Sequence, residues 1–170
     1  MTQPAVRALA DKVGQPIGTS AWLTVDQPLI DRFAAATLDP DPMHIDPGWC
    51  EANSPFRKTI AFGFLTTSLL THFSHQALGW VNTTGADDGG YPLNYGFDRL
   101  RLIEPVPVDS RIRAHFTLLE WTEVRPGEVR SKYGVTVEIE GNPRPALAAE
   151  WLGLWVSGDG HRRIEAKHQG

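Results

Sequence analysis

Phe62-Gly63-Phe64-Leu65-Thr66-Thr67-Ser68-Leu69-Leu70-Thr71-His72-Phe73-Ser74-His75-Gln76-Ala77-Leu78 is the stretch on which the architecture turns. Phe62, Leu65, Leu69, Leu70, Phe73 and Ala77 recur at helical spacing. Their breadth predicts a long helix buried on most sides. Upstream, Asp26 is placed to cap a helix with Pro28 in its first turn, running to about Ala36. Leu29, Phe33 and Ala36 would form its buried face. Residues 17–25 have strand character. Residues 5–13 suit a short helix and 48–53 a single helical turn.

Downstream the period changes. Ile112, Ala114, Phe116 and Leu118 alternate with polar residues, as do Tyr133, Val135, Val137 and Ile139. Strands are expected over 91–103, 111–121, 128–140 and 144–156. Turn chemistry separates them at 105–110, Arg125-Pro126-Gly127 and Gly141-Asn142-Pro143. Short connections of this kind favour antiparallel hairpins. Residues 81–90 read as a loop, and 157–170 as a polar tail behind a single domain spanning 1–156. A buried helix followed by antiparallel strands predicts an α+β domain whose sheet wraps the helix.

With 170 residues, one domain is the simplest organisation. A net charge of -4 argues against a nucleic-acid partner, which usually leaves a basic footprint. The single cysteine, Cys50, excludes an internal disulfide and suits a reducing compartment. Arg7, Asp11 and Lys12 interrupt the first residues, so no secretory leader is expected. No stretch approaches the roughly 20 apolar residues of a membrane span. These features lead us to expect a cytoplasmic protein with no membrane association.

The chemistry points to Thr37-Leu38-Asp39-Pro40-Asp41-Pro42-Met43-His44-Ile45-Asp46. Pro40 and Pro42 each fix their own φ and remove a donor, and each biases the preceding aspartate toward extended backbone. The expectation is a stiff loop, not a regular helix, holding Asp39 and His44 in one geometry. Acid–base catalysis depends on such placement.

Three ordered blocks carry a resemblance: T-x-D-x-x-P-x-H-x-D from Thr37, T-I-A-x-G-x-L-T-x-S-L from Thr59, and N-Y-G-x-D-R from Asn94 with P-V-P-x-x-S-R-x-R-A from Pro105. Together they resemble the MaoC-like hydratases, which include the R-specific enoyl-CoA hydratases, and most of all their nodulation-protein-N-like branch. The resemblance covers about residues 21–156. It implies a hot-dog fold, usually a homodimer with a continuous sheet. It also implies reversible addition of water across a trans-2-enoyl thioester of CoA or acyl carrier protein. No metal or other cofactor is implied.

On that resemblance Asp39 is the candidate base taking a proton from water. His44 is the candidate for binding that water and returning a proton. Gly63 offers a backbone N–H at a helix start, suited to the thioester oxyanion. Phe62, Phe64 and Ser68 are candidate substrate contacts, and so are Asn94 and Tyr95, which could touch substrate or the partner subunit; a structural role as strand residues weighs equally for these two. The chain departs from the common pattern in having Leu38 for Gly, Phe62 for His and Asp41 for Asn.

Plainer readings stand beside these. Asp39 could cap a turn. The Asp39-x-Asp41 start resembles a calcium loop, but Met43 and His44 break that pattern. His72 and His75 share a helix face without a clear third ligand. Cys50 is expected to be inert. Arg57, Lys58, Arg99 and Arg101 could meet a CoA phosphate or simply face solvent. Two other functions remain in view: an acyl-CoA thioesterase, and a non-catalytic hot-dog binding or heterodimer subunit.

Overall fold

The computed structural model describes residues 9–79 and 90–158. Alternation builds its sheet. β4 (Ser110–Arg125) and β5 (Glu128–Ile139) pair so that Ile112 faces Ile139, Ala114 Val137, Phe116 Val135 and Leu118 Tyr133. All eight side chains are buried on one face. The even spacing places every apolar member on the same side of the pleat. Burial of a side chain such as Phe116 or Ile112 contributes roughly 1.5–3 kcal/mol.

The helix predicted from Phe62 onward is α4 (Gly63–Leu78). In chain order, β1 (Pro16–Thr19) and β2 (Leu23–Val25) precede α1 (Gln27–Thr37), α2 (Pro42–Ile45) and α3 (Pro47–Asn53). α4 then leads to β3 (Tyr91–Leu102), β4, β5 and β6 (Leu147–Val156). α4 lays Leu65, Leu70 and Phe73 into the core. Near its other end, a Cβ at Gly18 of β1 would stand 2.5 Å from the Ala77 carbonyl oxygen, so the absent side chain permits this close approach. Burial is narrower than expected: Phe64, Ser68, His72 and His75 are exposed, because the sheet covers only one side of the helix in a single chain.

The six strands run β1-β4-β5-β6-β3, with β2 also on β4, and every pairing is antiparallel. β4–β5 and β5–β6 are the expected neighbours. β3 is not hairpinned to β4; it crosses to the far edge and pairs with β6. The connection cannot be a tight turn because it docks elsewhere. Ala61 N–H donates to the Val106 carbonyl (2.8 Å), Val108 N–H donates to the Thr59 carbonyl (3.0 Å), and Ile60 bridges Pro107. The segment bearing Pro105 and Pro107 therefore pins the entry to α4.

In α1, the Asp26 carboxylate accepts the Leu29 N–H at 2.9 Å, as a cap should. Ile30 and Ala34 are its buried residues, Leu29 and Phe33 pack at the margin, and Ala36 is exposed, a shift of the expected face. Over 5–13 the described part contains a 3-10 turn at Ala10–Lys12, and the rest lies outside the described residues. The expected 81–90 loop and the 157–170 tail fall almost wholly outside them.

Candidate active site

The Asp-Pro segment is partly helical. Asp41 keeps the extended backbone that Pro42 imposes (ψ 119°), and its side chain then caps α2 by accepting the Met43 N–H at 2.9 Å. Pro42 occupies the first turn, where a missing N–H is harmless, so it starts a helical turn instead of forbidding one. This corrects the expectation of a loop. Asp46 caps α3 in the same way, accepting the Trp49 N–H at 2.8 Å.

Asp39 follows the C-terminus of α1. Leu38 there is left-handed (φ 59°, ψ 32°), with its N–H on the Ala34 carbonyl. The conformation is the one a glycine would favour, so Leu38 preserves the turn that the common Gly would give. Its side chain is 87% exposed. One Asp39 oxygen accepts the Asp41 N–H at 3.2 Å, and the Asp41 carbonyl accepts the His44 N–H at 3.0 Å. Asp39 and His44 are thus linked through a two-bond backbone relay.

His44 is held on three sides. Its Nδ1 lies 2.7 Å from the Ile60 carbonyl oxygen. Its ring lies against Phe62, with centroids 3.8 Å apart. Its backbone carbonyl accepts from Gln27 Nε2 at 2.8 Å. A carbonyl only accepts, so Nδ1 carries the hydrogen and the neutral ring presents its lone pair at Nε2. Phe62 is buried, packing on both His44 and Phe33, and so bears on the site through the imidazole.

Gly63 follows Phe62 directly and opens α4. Phe62 supplies no side-chain cap. The first intrahelical bond reaches back from Thr66 N–H to the Phe62 carbonyl at 3.2 Å. The helix thus opens one residue after the Phe62 ring that packs on His44, with the positive end of its dipole at that end. A Cβ at position 63 would collide with the Leu102 side chain, which lies across the glycine from β3. Sequence reasoning missed Leu102, Gln27 and Thr59, because only the crossover and the α1–α2 packing bring them here.

The other candidates lie apart from this cluster. Phe64 is 70% exposed, and Ser68, one turn on, donates to the Phe64 carbonyl at 2.8 Å on the same outward face. Asn94 and Tyr95 are exposed on β3, Tyr95 at 60%. Asn94 pairs with Gly153 and Leu102 with Leu147, six β6 residues apart, or about 20 Å along the sheet. One chain therefore does not bring Asn94 and Tyr95 to Gly63.

Cys50 is buried beneath α2, its thiol near the Met43 and Pro42 carbonyls at 3.3 and 3.5 Å. Burial, then the Asp46 and Asp41 charges, raise its pKa, in keeping with an inert thiol. Arg57 donates to the Glu51 carbonyl and Arg99 lies 3.7 Å from Glu150. Among the described residues no group of three side chains is arranged to hold a metal. No helix among them is long and apolar enough to cross a membrane.

Fold and site together define a hot-dog protein with an imidazole seated beside the open start of its central helix. Residues 8–139 match the family model described as MaoC like domain, and the chain belongs to that family. It is 40% identical over 156 residues to nodulation protein N of Rhizobium meliloti (strain 1021), covering 91% of this chain and 92% of that one. It is 36% identical to the 3-hydroxyacyl-thioester dehydratase Z of Mycobacterium tuberculosis, covering 92% of this chain and 99% of the relative. The (R)-hydratase of A. caviae involved in PHA biosynthesis shares the fold, with a TM-score of 0.63 at 21% identity, covering 81% of this chain and 94% of that structure.

Proposed function

We propose that this protein is an R-specific enoyl-thioester hydratase/dehydratase, adding water reversibly across a trans-2-enoyl-CoA or acyl carrier protein thioester. The observation that carries the reading is the seating of His44: Nδ1 bonded to Ile60, the ring on Phe62, and the open start of α4 one residue further on. Family membership and the 3-hydroxyacyl-thioester dehydratase relative support the same chemistry.

In the hydration direction, water is held between the Asp39 carboxylate and the Nε2 lone pair of His44. Asp39 takes one proton as the water oxygen bonds to Cβ. Charge moves to the thioester oxygen, where the Gly63 N–H stabilises it. The enolate collapses as the Asp39–His44 pair returns the proton to Cα, and the pair ends as it began. Each positioned acid–base group typically contributes about 10²–10⁴-fold, and an oxyanion donor about 10²–10³-fold.

The working unit in this reading is a homodimer in the cytoplasm. Among the described residues β3 pairs with β6 alone, and it exposes Leu93, Tyr95, Phe97 and Leu102 at that edge of the sheet. A long apolar edge strand favours association. If Asn94 and Tyr95 touch substrate, their separation from Gly63 assigns them to the partner's site.

The experiment is loss of enoyl-thioester absorbance with a short-chain trans-2-enoyl-CoA, run beside Asp39→Asn. Turnover that collapses in the variant supports the reading. Free thiol release without hydration would point instead to a thioesterase. Absence of turnover with both CoA and acyl carrier protein substrates of several lengths, in folded dimeric protein, would overturn it and favour a non-catalytic subunit.

A further inference from the structure

α2 is four residues long. A single helical turn has almost no stability of its own, since nucleation is the costly step. Three of its four carbonyls are nevertheless engaged. The Pro42 carbonyl accepts from Asp46 N–H at 3.0 Å, and the Met43 carbonyl from Ile60 N–H at 3.3 Å, with the Cys50 thiol near both. The His44 carbonyl accepts from a side chain on another element, the Gln27 amide at the start of α1.

Gln27 uses its whole amide. Nε2 donates to the His44 carbonyl and to Asp31 Oδ1, each at 2.8 Å. Oε1 accepts from the hydroxyl of Thr59, a buried residue. This array fixes the amide's orientation. Flipping it would point Oε1 at a carbonyl and a carboxylate, neither of which can donate. Thr59 directly precedes Ile60, whose carbonyl holds His44 Nδ1. A closed ring results: Gln27 Oε1 to Thr59, along the backbone to Ile60, across to the imidazole, down to the His44 carbonyl and back to Gln27 Nε2. One amide thereby sets the spacing between the backbone of the imidazole and the carbonyl that selects its tautomer.

We propose that Gln27, with Thr59, is a positioning residue that holds His44 in the Nδ1–H tautomer with Nε2 presented to the reacting water. The catalytic part of this rests on the hydratase reading; the part concerning the His44 ring stands without it. Gln27 touches no substrate in this account. Its effect passes through His44.

Three substitutions separate the role from general stability. Gln27→Glu keeps the shape and the acceptor for Thr59, removes both donors, and sets negative charge against the His44 carbonyl and Asp31. It also puts an acid in the first turn of α1, where the helix dipole favours it, and this offsets the i,i+4 repulsion with Asp31. Thr59→Val removes the hydroxyl at nearly constant shape, and Thr59→Ser restores it.

The readouts are steady-state kinetics on trans-2-enoyl-CoA and 15N NMR of the histidine rings, with His44 assigned by the signal missing in His44→Gln. The expected result is a fall in kcat of about 10–100-fold, with KM changed little, for Gln27→Glu and Thr59→Val, as displacement of a catalytic group by about 1 Å costs on this scale. The His44 ring should change from one tautomer to a mixture in both variants, and Thr59→Ser should recover wild-type behaviour in both measurements. Retention of the single Nδ1–H tautomer in Gln27→Glu overturns the proposal, even where kcat falls. If wild type turns over no enoyl thioester, the hydratase reading fails, and the tautomer measurement still decides whether Gln27 positions His44.

Discussion

His44 Nδ1 donates to the Ile60 carbonyl oxygen across 2.7 Å. The bond commits the outward nitrogen, Nε2, to accepting a proton when the ring is neutral and to donating one when it is charged. His44→Ala removes both functions while leaving Phe62 in place. The expected outcome is a loss of kcat of about 10²–10⁴-fold, with a much smaller change in KM. Stopped-flow or steady-state hydration assays on trans-2-enoyl-CoA would check it.

Asn94 and Tyr95 lie about 20 Å up the sheet from the Leu102–Gly63 contact. A site completed by the partner subunit makes a sharp prediction. Asp39→Asn and Asn94→Ala should each be strongly impaired alone. Subunits unfolded and refolded together in equal amounts should regain about a quarter of wild-type activity, since half the dimers are mixed and each mixed dimer has one intact site. No recovery on mixing would remove Asn94 from the partner's site.

Gly63 can be tested once Leu102 is cut back to make room beside it. Phe62 already has φ -58° and ψ 137°, the extended backbone a following proline demands. Proline is also welcome at the first helical position. Leu102→Ala makes room for either new side chain. In that background Gly63→Ala should remain active, and Gly63→Pro, which deletes the N–H, should lose about 10²–10³-fold in kcat. Equal activity of the two double variants would show that the oxyanion is stabilised elsewhere.

Leu38 adopts a left-handed conformation that costs a side chain with a Cβ about 1–2 kcal/mol. Part of that is offset by the entropy a glycine would lose. Leu38→Gly should therefore raise stability by up to about 1 kcal/mol in urea denaturation. A decrease instead would mean that the exposed leucine is packed against something in the assembled protein.

Glu138 accepts from both Arg113 (2.8 Å) and His115 (2.7 Å) on the outer face of β4–β5. The Arg113 hydrogen bond first, and then the His115 bond, hold its carboxyl below the ordinary carboxylate range. A pKa depressed by folding stabilises the native state above the unfolded value, near 4.3, and loses that contribution as pH falls through the folded value. Glu138→Gln should cost less than about 1 kcal/mol at pH 7, as the pair is partly solvated. It should also flatten the acid side of a melting-temperature profile relative to wild type.

Much of the fold was legible because local pattern and tertiary demand agree. Ile112 to Leu118 and Tyr133 to Ile139 alternate in sequence and pair face to face in the sheet. Asp26 and Pro28 begin α1 where capping chemistry says they should. The Asp-Pro segment reads as loop from its prolines, which break a helix interior, whereas Pro42 stands at a helix start, where a proline is welcome. The placement of β3 was also missed. Turn residues between two strands specify that the chain turns, not which strand edge it will meet.

By itself the sequence determined the periodicities, and with them the central helix, the buried strand faces, and the family motifs around Asp39, His44 and Gly63. These are local properties, set by side-chain spacing and by the backbone restrictions of proline and glycine. Only the tertiary structure decided what surrounds His44. The crossover from β3 to β4 brings Val106 and Val108 onto Thr59 and Ala61, and α1 brings Gln27 onto Thr59 and His44. Those partners lie 17 to 49 residues apart in the chain, and no local pattern encodes them. They meet because each leaves a buried donor or acceptor that only another element can satisfy.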